Sequence, residues 1–309
     1  MAKERNTTID YLLYLCCRFV AMLFHCFPIE LNVQTARLMG WILYIVDKKH
    51  RKRAMHNLKR SFPELSESQC QRMALQSTQH MVLLAVEVIF TPSLIRKTTW
   101  RRHIELENFS EVLELLIRQQ SGLILLTGHY GNWEVLGYML AMLGFETTSI
   151  ARPLDNPYIN HWLLGVREKQ GQRIVAKKGA TGEVLPVLEQ KGAVGFIADQ
   201  NAGSKGIFVD FFGRKASTYK SIGLLAMEMN VPVAVGYARR TGEAFHFKAG
   251  VQDVIYPKDW QDQDDPLRYI TQRYTKAIED VVRADPPQYL WLHRRWKTRP
   301  KGELPDPYD

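Results

Sequence analysis

The sequence predicts an α/β fold with a mostly parallel central sheet flanked by helices, preceded by an N-terminal membrane-associating helical segment. Two apolar runs of strand length, GLILLTG (122–128) and AVGFIAD (193–199), are typical of strands buried on both faces. Segments with helical periodicity separate such runs, which favours a parallel, helix-flanked sheet. With 309 residues, 46% of them hydrophobic, the chain is long enough for one large core.

The predicted elements begin with helices and continue as alternating strands and helices. Residues 30–60 and 66–95 read as helices, separated by the break SFPELSESQ (61–69). The predicted strands are 122–128, 146–152, 173–177, 193–199 and 231–240, with two late strands within 244–256. The further predicted helices are 109–119, 132–144, 156–171, 180–191, 217–230 and 266–285.

The chain is strongly basic, with a formal net charge of +9 and a pI near 9.3. Such a charge favours anionic partners: nucleic acid, anionic lipid, a phosphorylated substrate or an acidic carrier protein. The charge alone does not choose among these partners. No nucleic-acid recognition module is found in the sequence, so we do not expect nucleic acid to be the partner.

The N-terminal run YLLYLCCRFVAMLFHCF (11–27) is apolar except for Arg18 and His25. A helix that crosses a bilayer needs about 20 apolar residues, and a charge near its middle is costly. Three interpretations stay open: a short membrane anchor, a helix lying in the membrane interface, or a buried helix of a soluble fold. The basic cluster at 47–60 favours the membrane and predicts that this side is cytoplasmic.

The stretch LTGHYGNWEVLGYML (126–140) places a histidine directly after a predicted strand. Ligands bind at the carboxyl ends of strands in open α/β sheets, so His129 belongs at that edge. Gly128 and Gly131 permit a tight turn, Asn132 is a good N-cap, and Glu134 falls in the first helical turn. The alternative interpretation is two polar residues that happen to sit at a strand-to-helix turn.

This pattern suits a general base. The helix N-terminus disfavours a charged imidazole, whereas an ionised Glu134 favours it and can fix the ring tautomer. His129 and Glu134 would then act as the His–carboxylate half of a triad, with a substrate hydroxyl in place of serine. The sequence has no G-x-S-x-G, Walker or G-x-G-x-x-G motif, so it predicts direct attack of a hydroxyl on an activated acyl group.

Several blocks, from about residue 30 to 300, resemble one family. They are NLKRSFPELS, GHYGNWE, ADQN followed by VDFFGRKA, NVPVAVGYARR and YLWLHRRWK. Together they resemble the late lauroyl/myristoyl acyltransferases of lipid A biosynthesis, in the glycerolipid/lysophospholipid acyltransferase superfamily. The chain also resembles the actinobacterial phosphatidylinositol mannoside acyltransferases, which share much of this pattern of blocks.

The resemblance implies roles for individual residues. His129 matches the catalytic base and Glu134 its acidic partner. Arg152 matches a basic residue that holds a phosphate or polarises the thioester carbonyl, although an ordinary solvated arginine is equally expected there. The other residues expected to bind substrate are Asn132, Asp199 and Gln200, while Val231–Val233 is expected to be structural.

The resemblance implies a membrane-associated O-acyltransferase. It would move a fatty acyl group from acyl carrier protein or coenzyme A to a hydroxyl of an anionic glycolipid, a lipid A precursor, at the bacterial inner membrane with the active site facing the cytoplasm. No cofactor or metal is expected, and the oligomeric state is left open. The alternatives are a phosphatidylinositol mannoside or other phospholipid acyltransferase, and a non-catalytic lipid-binding protein.

Two further expectations concern apolar and basic segments. Residues 1–30 would form the membrane anchor or interfacial helix, and residues 31–309 the acyltransferase domain. The basic C-terminal tail, with Trp291 and Trp296 between its cations, suits either a plain surface or a membrane interface. Apolar residues near the histidine motif are candidates for an acyl-chain groove or for core packing: Trp133, Leu136, Tyr138 and Met139.

Overall fold

A seven-stranded sheet forms the centre of the protein. The computed structural model describes residues 6–169, 171–176, 179–242 and 244–308. The strands are β1 (Ile104–Glu107), β2 (Leu123–Thr127), β3 (Thr147–Ala151), β4 (Gln172–Ala176), β5 (Ala193–Ile197), β6 (Ile207–Phe211), β7 (Arg214–Thr218), β8 (Val233–Arg240) and β9 (Phe247–Ile255). All except β6 and β7 belong to the central sheet; these two form a separate antiparallel hairpin.

The strand order is β1-β9-β8-β2-β5-β3-β4, and all neighbours are parallel except β8 and β9. The predicted fold class is therefore confirmed. Ile124 of β2 and Val194 of β5 are both fully buried, as expected for strands covered on both faces. Alternate residues of these strands contribute to two hydrophobic clusters, one on each face of the sheet.

Helices cover both faces of the central sheet, and four of them precede its first strand. α6, which follows the histidine turn, is capped by Asn132, whose Oδ1 accepts the N–H of Val135 at 2.9 Å, as the sequence predicted. The helices are α1 (Thr7–His25), α2 (Ile29–Val46), α3 (Lys48–Ser61), α4 (Glu67–Leu94), α5 (Ser110–Arg118), α6 (Trp133–Met142), α7 (Pro157–Glu168), α8 (Ala180–Glu189), α9 (Lys220–Met229), α10 (Pro257–Trp260) and α11 (Pro266–Ala284).

Several sequence predictions of secondary structure are wrong. The single helix predicted over residues 30–60 is two helices, α2 and α3, which Asp47 separates. Residues 244–256 contain one long strand, β9, because its antiparallel pairing with β8 continues past a bulge at Val235/Gly236. The helix predicted from residue 217 begins at Lys220, because residues 214–218 pair with β6. The strand β1 was not predicted, since four residues carry too short a pattern, and the strands β6 and β7 were not predicted either. Residues 170 and 177, inside a predicted helix and strand, lie outside the described residues.

The apolar N-terminal segment is a helix with most of its surface exposed. Within α1 only Asp10 and Ala21 are buried, so the interpretation of this segment as a buried core helix is wrong. Two described helices, α1 and α4, are long and apolar enough to cross a membrane, but half of the relevant window of α4 is buried inside the protein. The boundary 1–30 includes residues 1–5, which lie outside the described residues.

The two C-terminal tryptophans belong to the core. Trp291 and Trp296 are 1% and 2% exposed, and the guanidinium of Arg214 lies 3.4 Å from the ring centroid of Trp296. Arg295 is equally buried and donates to the carbonyl of Ser217 at 2.7 Å. The membrane-interface interpretation of these two tryptophans is therefore wrong, because the tail returns to the body of the protein and fills space beside the β6–β7 hairpin.

Candidate active site

The carboxyl ends of β2 and β5 lie side by side at one edge of the sheet, with Thr127 paired opposite Ile197. The pairing continues one step further, since the N–H of Ala198 donates to the carbonyl of Thr127 at 2.9 Å. The turn that carries His129 follows β2, and the segment that carries Asp199 follows β5. Residues far apart in sequence are thereby brought together at the edge where open α/β sheets bind their ligands.

His129 is hydrogen-bonded to Asp199. Nδ1 of His129 lies 2.7 Å from Oδ1 of Asp199, and the two side chains are 13% and 1% exposed. Burial by itself raises the pKa of the Asp199 carboxyl, but the charge of His129 and the hydrogen bond with it hold that pKa below its ordinary value of 3.8. Asp199 is therefore an anion that fixes one proton of His129 on Nδ1 and stabilises the ring when it gains a second.

Glu134 faces Arg167, and the described contacts do not pair it with His129 as the sequence analysis expected. Its Oε2 accepts from Nε of Arg167 at 2.8 Å, and its Oε1 accepts from Nη2 of Arg167 at 2.5 Å. The indole N–H of Trp133 also donates to Oε1, at 3.1 Å. The first turn of α6 directs Glu134 towards α7, while Asp199 occupies the Nδ1 side of the imidazole. The function of Glu134 in catalysis stays a prediction.

The second ring nitrogen of His129 faces an exposed polar group. Nε2 lies 3.2 Å from Nε2 of Gln200. With the proton on Nδ1 held by Asp199, Nε2 carries a lone pair and accepts the amide N–H of Gln200. This nitrogen can accept a proton from a hydroxyl group placed in the same direction.

Two glycines permit this arrangement. Gly131 has a φ of +58°, and a Cβ there would lie 2.1 Å from the carbonyl oxygen of Ala238, so another residue would be strained and would clash. A Cβ at Gly128 would lie 2.9 Å from Ile278 and 3.5 Å from Cγ of Asp199. The flanking glycines of the motif therefore let the turn approach β8 and leave room for the carboxylate.

A buried ionic network supports the turn from below. Glu87 of α4 is fully buried and makes two hydrogen bonds with Arg240 of β8, at 2.5 and 2.7 Å. Its Oε2 also accepts from Nδ2 of Asn132 at 2.8 Å. His80 accepts from Arg240 through Nδ1 and donates through Nε2 to the carbonyl of Gly131 at 3.0 Å. Burial lowers the pKa of His80 well below 6.5, and Arg240 lowers it further, so this ring is neutral.

An apolar groove begins beside Trp133, whose ring centroid lies 5.0 Å from that of His129. The groove is narrow, with a volume of about 100 Å³, and lies between α6 and one face of β2, β5, β3 and β4. It runs from the carboxyl edge of the sheet towards Leu140 and Gln172, and the Glu134–Arg167 pair contributes to its lining. Of the candidates from the sequence, Trp133 and Leu136 line this groove, whereas Tyr138 and Met139 are buried in the core.

A cationic pocket opens on the other side of His129. It has a volume of about 430 Å³ and is lined by side chains of α3 and of the C-terminal segment, together with Gln200 and Asn201. His293, which belongs to this lining, has its ring centroid 4.7 Å from that of His129. Burial lowers the pKa of His293 to about 4, with a further lowering from His129, so its ring is neutral at pH 7.

Arg152 and Asn132, two of the residues predicted to bind substrate, do not contact His129 as Gln200 does. Arg152 is exposed at the end of β3, 3.6 Å from Asp155, and no described contact joins it to His129. Asn132 is fully buried and uses its side chain to cap α6 and to bind Glu87. A direct contact of either residue with substrate stays a prediction. Within the described ranges, no group of three or more His, Cys, Asp or Glu side chains is arranged to hold a metal ion.

Sequence reasoning missed several residues around the histidine. Arg167 lies in a helix with an ordinary surface pattern, and Glu87 and His80 lie in a long helix of mixed composition. His293 lies inside the block YLWLHRRWK, but no local pattern there indicates that its ring lies beside His129. The spacing of His80 and Glu87, two turns apart on α4, places them on one helix face, and this was the available signal. It could not identify Arg240 as the partner.

The fold and the histidine–aspartate pair define a class of protein, one that can activate a hydroxyl group at the edge of an α/β sheet. Over residues 1–298 the chain matches the family described as bacterial lipid A biosynthesis acyltransferase, and it belongs to this family. The expected family and enzyme class are thereby confirmed.

Individual relatives are distant but cover most of the chain. The lipid A biosynthesis lauroyltransferase of Escherichia coli (strain K12) is 26% identical over 260 residues, covering 82% of this chain and 81% of the relative. The lipid A biosynthesis myristoyltransferase of the same organism is 26% identical, covering 84% and 79%. A solved 1-acyl-sn-glycerophosphate acyltransferase from Thermotoga maritima is 14% identical and covers 83% of this chain and 97% of its own. Its TM-score of 0.35 is too low to support any inference.

Proposed function

We propose that this protein transfers a fatty acyl group from an acyl thioester to a hydroxyl group of a lipid A precursor at the bacterial inner membrane, with the active site facing the cytoplasm. The observation that carries the proposal is the position of His129. It is paired with a buried aspartate and lies between an apolar groove and a cationic pocket. Family membership and the names of the relatives support this substrate class.

The base in this reaction is Nε2 of His129. It takes the proton of the acceptor hydroxyl as the oxygen attacks the thioester carbonyl, and the resulting imidazolium is stabilised by Asp199. The tetrahedral intermediate collapses with cleavage of the C–S bond. The departing thiolate of the carrier or coenzyme A takes up the proton from Nε2, which restores the neutral ring. In this proposal Asp199 takes the part that the sequence analysis gave to Glu134.

The start of α6 supplies donors for the oxyanion. The N–H groups of Gly131 and Asn132 already bind the carbonyls of Gln288 and Ala238, and the N–H of Val135 binds Asn132. Among the described contacts, the N–H groups of Trp133 and Glu134 have no protein acceptor. We assign them to the carbonyl oxygen of the thioester, where helix-start N–H groups favour negative charge.

The groove suits the acyl chain. It is mostly apolar, begins beside Trp133 and follows the sheet inward over β3, a distance of roughly 13 Å at about 3.3 Å per strand residue. A thioester whose chain occupies the groove places its carbonyl near the start of α6, where the proposed oxyanion donors and His129 lie. The ion pair of Glu134 and Arg167 closes the side of the groove towards α7.

Association with the membrane is proposed to occur through α1 and α2. Hydrogen bonds near both ends of α1 attach it to the rest of the protein: Asn156 donates to the carbonyl of Asp10, and Asn32 donates to that of Phe24, both at 2.8 Å. This attachment favours a helix lying in the interface over one that crosses the bilayer. The exposed apolar side chains that would enter the interface include Leu12, Leu15, Phe19, Met22, Phe27, Leu38, Trp41, Ile42 and Val46.

The position of Arg18 within the apolar helix α1 is consistent with this placement. Its guanidinium lies 5.4 Å from the ring centroid of Trp162 on α7 and donates to the hydroxyl of Tyr14 at 3.0 Å. The charge therefore faces the protein side of α1 instead of the hydrocarbon. Because α7 also carries Arg167, the proposed membrane face lies near the groove, and a lipid acceptor can approach from the membrane.

The decisive experiment is an acyl-transfer assay with the purified full chain. Acyl carrier and coenzyme A thioesters are offered with a lipid A precursor, a phosphatidylinositol mannoside and a lysophospholipid, and product is identified by mass spectrometry. We expect transfer to the lipid A precursor, and its loss in His129→Ala but not in His161→Ala, an exposed histidine on α7. Equal transfer by wild type and His129→Ala excludes the mechanism, and transfer only to another acceptor excludes the proposed substrate.

A further inference from the structure

The cationic pocket is bounded by two segments that are held together by buried hydrogen bonds. Arg53 of α3, 4% exposed, donates to the carbonyls of Leu292 and Tyr308 at 3.3 and 2.8 Å. Asn57, one helical turn further along α3, donates to the carbonyls of Trp291 and His293 at 2.9 and 3.1 Å. The walls of the pocket are therefore fixed by the fold, which gives its cations a defined geometry.

The lining of the pocket carries several cations and no carboxylate. Arg53, Arg294 and Arg295 contribute guanidinium groups, and His50 contributes an imidazole whose Nδ1 lies 2.6 Å from Asp47 outside the lining. Arg295 is buried and donates to Ser217 and Thr218, so it acts on the pocket through its charge. Arg294 is exposed to solvent in the pocket lining. A concave site with this charge concentrates anions.

The pocket is continuous with the reacting nitrogen. Gln200 belongs to the lining and also lies 3.2 Å from Nε2 of His129. Asn201, the next lining residue, is held by a 3.0 Å hydrogen bond to Thr298. A molecule that reaches His129 from this side can therefore place an anionic group in the pocket. Burial is the main reason for the low pKa of His293, and Arg53 and His50 lower it further.

We propose that this pocket binds a phosphate group of one of the two substrates during acyl transfer, and so sets which hydroxyl or thioester reaches His129. The proposal rests on the proposed function in that the phosphate belongs to a reacting molecule. Two sources share this chemistry: the sugar phosphate of an anionic glycolipid acceptor, and the phosphodiester of the pantetheine arm of an acyl carrier or coenzyme A. Arginine and histidine side chains bind such groups through charge-assisted hydrogen bonds.

Direct binding tests the pocket independently of catalysis. The purified full chain in detergent is titrated with N-acetylglucosamine 1-phosphate and with N-acetylglucosamine, and separately with 4′-phosphopantetheine and with pantetheine, by calorimetry or ligand-observed NMR. We expect one phosphorylated probe to bind at least about tenfold more tightly than its partner without phosphate. The pair that shows this preference identifies the source of the phosphate.

Variants locate the binding. We expect Arg294→Glu to abolish the preference for the phosphorylated probe and Arg294→Gln and His50→Gln to reduce it several-fold, with unchanged melting temperatures. Lys297→Glu, an equal charge change at an exposed position outside the lining, should retain it. The proposal is overturned if neither phosphorylated probe binds more tightly than its partner without phosphate. It is also overturned if Lys297→Glu loses the phosphate preference as fully as Arg294→Glu does. A retained preference without acyl transfer would instead contradict the proposed function and leave the phosphate site standing.

Discussion

Nδ1 of His129 lies 2.7 Å from the carboxylate of Asp199, seventy positions further along the chain. The bond exists because β2 and β5 are parallel neighbours, so the residues that follow them meet at one edge of the sheet. The carboxylate five residues after the histidine, Glu134, binds Arg167 instead. The identity of the carboxylate that binds His129 is therefore a property of the strand order in the sheet.

The first prediction distinguishes the two carboxylates. We expect Asp199→Asn to lower kcat by about 10²- to 10⁴-fold, since the amide no longer fixes the proton on Nδ1 or stabilises the imidazolium. Glu134→Gln should lower kcat less, because the hydrogen bond between His129 and Asp199 is intact. Steady-state kinetics with both substrates varied gives kcat and KM for each variant, and melting curves establish that both fold. A larger loss of kcat in Glu134→Gln would contradict the assignment.

A second prediction concerns the network beneath the turn. Glu87→Gln leaves Arg240 buried with a neutral partner, and we expect a loss of about 3–5 kcal/mol in the free energy of unfolding. Glu114→Gln breaks the exposed pair with Arg118 and should cost less than about 1 kcal/mol. Urea unfolding of the two variants provides the comparison, and similar losses would show that the buried pair does not support the fold.

A third prediction is a loss of stability on acidification below pH 6.5. The pKa of His293 is about 4 in the folded state and 6.5 ordinarily. Between these values the unfolded chain binds more protons, so the stabilising contribution is complete above pH 6.5 and is lost as pH falls towards 4. The full shift corresponds to about 3 kcal/mol, and the lowered pKa of His80 acts in the same direction. Urea unfolding of wild type and His293→Gln from pH 7.5 to 5 gives the free energy of unfolding at each pH. It should fall less steeply with falling pH in the variant, and an equal pH dependence would show that His293 is not the cause.

A fourth prediction assigns chain-length preference to the groove. Gly195 lies in its floor, and a Cβ there would already be 2.9 Å from Oγ of Ser149. We expect Gly195→Val to lower kcat/KM for long acyl thioesters by at least about tenfold and to spare short ones, since the bulk blocks the inner groove. Gly165→Ala on α7, where a Cβ meets nothing within 4 Å, is the control. A uniform loss for all chain lengths would mean that the acyl chain lies elsewhere.

A fifth prediction tests the membrane surface of α1. Phe19 is 56% exposed, and a glutamate there should reduce co-sedimentation with anionic vesicles at least several-fold, because a charge replaces an apolar side chain in the interface. Ile117→Glu changes a residue that is 69% exposed on α5, away from α1, and should bind vesicles like wild type. Equal binding by all three proteins would show that α1 does not contact the membrane.

The sequence by itself determined most of the elements of the central sheet and the position of His129 at its edge. Continuous apolar runs identified β2 and β5, local capping chemistry fixed the start of α6 at Asn132, and glycines marked the turn at His129. These features depend on residues close in sequence, where steric limits and local hydrogen bonds act directly. Family-wide blocks in the sequence then indicated acyl transfer, which membership of the family supports.

Only the tertiary structure decided which distant groups act on one another. The order of strands in the sheet brought Asp199 to His129, and the return of the C-terminal segment buried Trp291 and Trp296 and closed the cationic pocket with α3. The Glu87–Arg240 pair arose in the same way. Such contacts are selected by the burial and packing of the whole chain, and no local pattern of residues specifies them.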